Sequence, residues 1–190
     1  MFVVSATGVA FSLIVVIVIC LPLKDTPVES TRTTASVGRA VSDLELPIRL
    51  TIPKIGVDAF IEAVGLTPGG AMDVSADPAN TAWLNRGPHP GENGTAVIAG
   101  HFGWKNDIPA VFDNLYTLQK GDKLYVKNAK GMTTTFVVRD SRVYDASEEA
   151  SSVFGSRDSG AHLNLITCDG VWNETKKSYS DRLVVFTDKE

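Results

Sequence analysis

The chain has 190 residues, room for one domain of ordinary size with appendages. At 44% hydrophobic and 21% charged it has the composition of a folded protein. Its formal net charge of -4, with no stripe of Lys or Arg, offers nothing to neutralise a phosphate backbone, so nucleic acid is not an expected partner.

The first element is an uncharged run from Phe2 to Leu23, dominated by Val, Ile, Leu and Phe. As a helix it would rise about 33 Å, enough for a hydrocarbon core of roughly 30 Å. Val15 to Ile19 is apolar on every face, unlike the stripe of a core helix. No Ala-x-Ala-like site follows it, and Ile19 is too bulky to precede a lipoprotein cysteine at Cys20. Residues 1–23 are therefore expected to form an uncleaved transmembrane signal anchor. Residues 24–47, with Ser, Thr, charges and two prolines but no apolar period, read as an extended spacer.

The body, residues 48–190, is rich in short strand signals. Arg49 to Ile52 alternates and stops at Pro53; Val57 to Val64 follows Gly56. Gly69-Gly70 reads as a hairpin turn. Thr95 to His101 is a compact apolar run, as of a strand covered on both faces. Lys123 to Lys127 and the long run Thr133 to Tyr144 come next, and His162 to Thr167 and Arg182 to Thr187 close the set. Two helices are expected: Pro109 to Leu118, with Val111, Phe112, Leu115 and Leu118 on one face, and Ser147 to Val153. Many strands and few helices predict a mainly β barrel or sandwich.

Of two cysteines, Cys20 lies within the expected span, so Cys168 is alone in the body. A solitary thiol is either an inert buried group or a reactive one. Cys168 ends an apolar strand and precedes the turn signal Asp169-Gly170, which favours presentation to a cleft. A nucleophilic thiol needs a proton acceptor and a partner for the developing oxyanion. His101 also ends a strand. His89 lies in a Gly/Pro loop, and His162, six residues before Cys168, is about 20 Å away along an extended chain. Elimination favours His101. Arg182 alone among arginines follows Cys168, at the start of the last strand; a surface arginine paired with Asp181 is an equally good reading of it. No zinc, calcium, P-loop or dinucleotide pattern occurs, so neither metal nor cofactor is expected; Glu148-Glu149 reads as a surface turn.

Together these segments resemble the sortase family of Gram-positive bacteria. The resemblance is carried by Ala96-Val97-Ile98-Ala99-Gly100-His101, Asn164-Leu165-Ile166-Thr167-Cys168 and Asp181-Arg182-Leu183-Val184-Val185. Ile52-Pro53-Lys54-Ile55-Gly56-Val57 and Pro90-Gly91-Glu92-Asn93-Gly94 support it, in the same order along the body. Asn164 stands where the family pattern has Thr. The compact length looks most like the class F or class E/D branches. The resemblance implies an eight-stranded β-barrel outside the cell, tethered to the cell membrane. It implies a thioacyl-enzyme transpeptidase that cleaves LPXTG-like sorting signals between Thr and Gly and transfers the protein to a peptidoglycan precursor amine. Cys168 would be the nucleophile, His101 the acid/base and Arg182 the oxyanion partner, with Ala99 and Thr167 contacting substrate. The alternatives are a cysteine hydrolase without transfer, or an anchored β-domain that binds a surface ligand. A peptidoglycan L,D-transpeptidase is disfavoured, since its Ser-x-Gly-Cys pattern is absent.

Overall fold

The computed structural model describes residues 45–103, 108–148 and 150–190. The expected span, most of the spacer and Glu149 lie outside the described residues. Among those described, no helix is long and apolar enough to cross a membrane.

Eight strands close into a barrel in the order β1-β2-β3-β4-β7-β8-β6-β5. They are β1 (Pro47–Ile52), β2 (Val57–Val64), β3 (Thr81–Leu84), β4 (Gly94–Gly100), β5 (Lys123–Asn128), β6 (Thr133–Asp145), β7 (Ala161–Asn173) and β8 (Ser178–Lys189). β2 with β3 and β4 with β7 pair in parallel, and all other neighbours are antiparallel. Closure by β1 against β5 leaves no free edge, which removes the usual route to edge-to-edge association.

Side-chain alternation divides each strand between two environments. Inside the barrel, Leu50, Ile52, Ile98, Leu124, Phe136, Leu163, Leu165 and Val185 form one apolar core. On the outside of β7 and β8, Val184 and Phe186 pack with Val153 in a second, smaller cluster, with Ile166 and Tyr144 against it. That outer cluster is roofed by a single turn of helix, α1 (Ser151–Phe154). A four-residue helix has no stability of its own, so α1 depends on what it packs against.

The helix expected over Pro109 to Leu118 is instead a chain of tight turns with a 3-10 turn at Leu115–Thr117. Asp113 explains the difference, because its carboxylate accepts the amide protons of Gly103 (2.8 Å) and Ala110 (2.9 Å). Backbone bonds from Asp113 to Ala110, Leu115 to Phe112 and Leu118 to Leu115 then run three residues back, the 3-10 spacing. The expected apolar face survives, with Phe112, Leu115 and Leu118 in the core. The helix expected over Ser147 to Val153 starts later, at Ser151. Asp145 binds the amide and hydroxyl of Ser147 and so holds a turn there. The Gly69-Gly70 turn forms, closed by Gly70 N–H to the Thr67 carbonyl at 2.9 Å.

Candidate active site

Three adjacent strands, β4, β7 and β8, carry or directly precede the residues singled out from the sequence, His101 following immediately on β4. Their registers pair Val97 with Asn164 and Ala99 with Ile166, then Asn164 with Phe186, Ile166 with Val184 and Cys168 with Arg182. Ala96, Ile98, Leu163, Leu165, Leu183 and Val185 all belong to the inner core. The alternate positions, Val97, Ala99, Asn164, Ile166, Cys168, Arg182, Val184 and Phe186, therefore face outward. His101 has the same parity. Cys168 and Arg182 thus form a row on the outer face of β7 and β8, and His101 follows directly on the last residue of β4, the strand that pairs with β7.

Each of the three is held by local chemistry. Gly100 lets the chain leave β4 closely against Phe112, whose ring occupies the space an added Cβ would need. The Phe112 amide donates to the His101 carbonyl (3.0 Å), and the Thr167 hydroxyl donates to the Gly100 carbonyl (2.8 Å), tying the end of β4 to β7. His101 places Nε2 2.7 Å from the Ser75 carbonyl oxygen. A carbonyl only accepts, so the proton of this bond sits on Nε2. Arg182 donates through Nη1 to the carbonyls of Asp181 (2.7 Å) and Tyr179 (3.1 Å). It makes no ion pair among the described residues, and the Asp181 carboxylate accepts from Ser180 instead (2.9 Å). The pairing with Asp181 that the sequence left open is thus a main-chain contact.

Cys168 is half-buried and free. Burial pushes its thiol above the ordinary range, and the Arg182 guanidinium pulls only partly the other way. The resting sulfur is therefore protonated at neutral pH and needs a base to become a nucleophile.

A groove of about 700 Å³ opens beside Cys168 and Arg182, with Ala99 and Thr167 also in its lining; His101 is not one of its lining residues. Its other walls are largely apolar, among them Leu66, Met72, Leu84, Val153, Phe154 and Val184. Ala99 contributes its outward methyl. Thr167 is 3% exposed, and its hydroxyl is already committed to Gly100. The two other histidines are occupied elsewhere: His89 stacks on Trp83 (ring centroids 4.9 Å apart), and His162 contacts Asp158 and Asp188.

Sequence reasoning missed the walls. Nothing in Ala150, Val153 or Phe154 distinguishes groove lining from a packed surface helix, and the Ser75 contact to His101 is made by a backbone carbonyl.

The chain matches the sortase family ("Sortase domain") over residues 50–190. The chain belongs to the sortase family. Solved sortases share its fold. Sortase C-1 from Actinomyces oris is 28% identical over 76% of this chain and 74% of that one, with a TM-score of 0.60. A pilus-related sortase C of Group B Streptococcus is 25% identical over 77% and 68%, TM-score 0.60. Sortase A from Corynebacterium diphtheriae, at 22% identity over 76% and 60% and TM-score 0.59, agrees in fold. No curated protein matches the sequence. Family membership makes this sortase a cysteine transpeptidase in general terms.

One group of metal-capable side chains occurs in the described part of the sortase domain: Glu45, His89 and Glu92, with ligand atoms within 4.8 Å of one another. Lys130 already neutralises Glu45 at 2.8 Å, and Glu92 binds both the amide and the ring of His89.

Proposed function

We propose that this sortase is a membrane-anchored, extracellular transpeptidase that cleaves LPXTG-like sorting signals between Thr and Gly and joins the new carboxyl terminus to a cell-wall amine. The reading is supported by the pairing of Cys168 with Arg182 across β7 and β8 at the groove, and by His101 just past the end of β4. The apolar groove suits the Leu and Pro side chains of such a signal.

His101 takes the Cys168 proton as the general base. The sulfur then attacks the Thr carbonyl carbon, and Arg182 faces the oxyanion that forms. Collapse of that intermediate breaks the Thr–Gly C–N bond, and His101 returns its proton to the leaving Gly nitrogen. An incoming amine adds to the thioester and His101 accepts the amine's proton; as the C–S bond breaks, His101 returns that proton to the sulfur, which restores the Cys168 thiol. Ala99 bounds the substrate beside the row, and Thr167 acts by holding β4 against β7.

The test is to incubate the full-length protein with an LPXTG peptide, with and without an oligoglycine amine, and to weigh the products. The ligated peptide supports transfer. Hydrolysed peptide alone in both arms reduces the enzyme to a hydrolase. An intact peptide, with Cys168 inert to a thiol-directed vinyl sulfone, favours a non-enzymatic binding domain. The assignment to class F or class E/D belongs to the same proposal, since such enzymes attach single proteins; ladders of polymerised substrate would point to a pilin polymerase.

A further inference from the structure

His162, Asn164, Ile166 and Cys168 occupy alternate positions on the outward face of β7. The segment 150–160, which includes α1, contacts the first three. His162, 6% exposed, has Nε2 2.7 Å from Asp158 Oδ1 and Nδ1 2.7 Å from Asp188 Oδ1 on β8. Asn164, 2% exposed, donates Nδ2 to the Val153 carbonyl at 2.7 Å. Ile166 packs with Val153 in the outer apolar cluster. Ala150, Val153 and Phe154 of this segment line the groove at Cys168. One strand face thus presents the sulfur and fastens the wall beside it.

We infer that Asn164 and His162 are positioning residues for substrate binding: they pin the 150–160 wall to the nucleophile's strand and so set the grip of the groove on the apolar side chains of the sorting signal. The inference rests on the reading of that groove as the sorting-signal site. Asn164 Oδ1 is buried with no partner among the described residues, a net cost for a buried amide, so this side chain is poorly explained by packing alone. What it supplies is a directed bond to α1, whose start has no side-chain cap. His162 supplies the second pin. Its doubly protonated ring can donate to both carboxylates, whereas the neutral ring can donate to only one. The charged groups around it are Asp158 in the wall, Asp188 on β8 and Arg139 on β6, whose Nη1 is 3.4 Å from Asp188; Arg157 lines the same small cavity, and β4 contributes uncharged Thr95.

Full-length Asn164→Leu and His162→Gln variants test this with an LPXTG peptide across about pH 6 to 8. Asn164→Leu is expected to raise KM about tenfold, the scale of one lost hydrogen bond, with kcat and alkylation of Cys168 by iodoacetamide unchanged. In the parent, KM should rise with pH, and His162→Gln should flatten that dependence. Both variants should speed amide hydrogen exchange in residues 150–160. A folded variant with parental KM and parental exchange overturns the inference, as does a fall in kcat at constant KM. If Asn164→Leu does not fold, His162→Gln carries the same test. If the parent ignores the peptide, the substrate reading has failed, and the exchange rates alone decide whether the wall is pinned this way.

Discussion

Cys168 and Arg182 are register partners across the β7–β8 ladder, and both point to the outer face of the barrel. Directly opposed side chains on one face of an antiparallel pair have Cβ atoms about 5 Å apart. The guanidinium is therefore fixed beside the sulfur by strand pairing, with no loop intervening. Because burial raises the thiol pKa and Arg182 opposes that rise, Arg182→Ala should move the thiol further up. The alkylation rate of Cys168 against pH should shift to more alkaline values. Peptide cleavage should fall roughly 100- to 1,000-fold, the scale for losing one oxyanion partner. An unmoved alkylation profile would show that the two side chains are electrostatically independent.

His101 bears on a different observable. Its removal in His101→Ala should lower acyl transfer by about 100- to 10,000-fold, as expected for loss of general acid–base chemistry. Cys168 should still react with small alkylating agents once the pH is high enough to ionise it. The parent's kcat/KM should depend on pH, because the Cys168 thiol, raised by burial, must lose its proton to attack. A flat profile across the neutral range would contradict that requirement.

Gly100 separates the two halves of the row's support. In Gly100→Ala the added methyl meets the Phe112 ring and comes within 2.7 Å of Val111 Cγ1. Overpacking of this kind costs about 1–3 kcal/mol. Thermal unfolding should show that loss, and cleavage should drop with it because His101 follows immediately. A variant of parental stability would mean that the 110–112 turn gives way easily.

His162 makes stability depend on pH. Burial alone would depress its pKa, but Asp158 and Asp188 outweigh it and raise the ring above its usual value. A raised pKa stabilises the fold fully below the ordinary imidazole value of about 6.5, and the benefit is lost as pH rises through the folded-state value. The carboxyl of Asp158 is held below its usual range, first by its bond to His162, so its share is lost as pH falls through that lowered value. The clamp is strongest between the two. The melting temperature should decline from mildly acidic to mildly alkaline buffer, and His162→Gln should remove that part of the decline.

The barrel was legible where one face of a strand is wet, and also where an apolar run is long enough, as in β4, which is buried on both faces. The runs of β1, β2 and β5 alternate, and the long β6 announces itself by its Thr, Val and Tyr content. β3 was missed because Thr81, Ala82 and Trp83 are buried on both faces, leaving four residues without a period. β7 and β8 run further than expected because Gly170, at φ +80°, sits at an irregularity in their pairing, where a turn signal hides a continuing strand. Cys168, His101 and Arg182 stood out because each residue type is scarce where it matters. The 150–160 wall and the Ser75 carbonyl left no such trace, since their roles come from long-range packing and from the main chain.

The parallel pairing of β4 with β7 has a consequence for how the enzyme comes into being. Sixty-six residues, including β5 and β6, separate His101 from Cys168, and the guanidinium arrives only with the final strand. Such distant pairings form late, because a long loop of chain must be closed before any contact rewards it. A chain still being completed thus holds the histidine, then the Cys168 thiol, before the guanidinium is in place. With the roles proposed for these three side chains, the chemistry waits for β8 to pair, so barrel completion and enzymatic competence would be a single event.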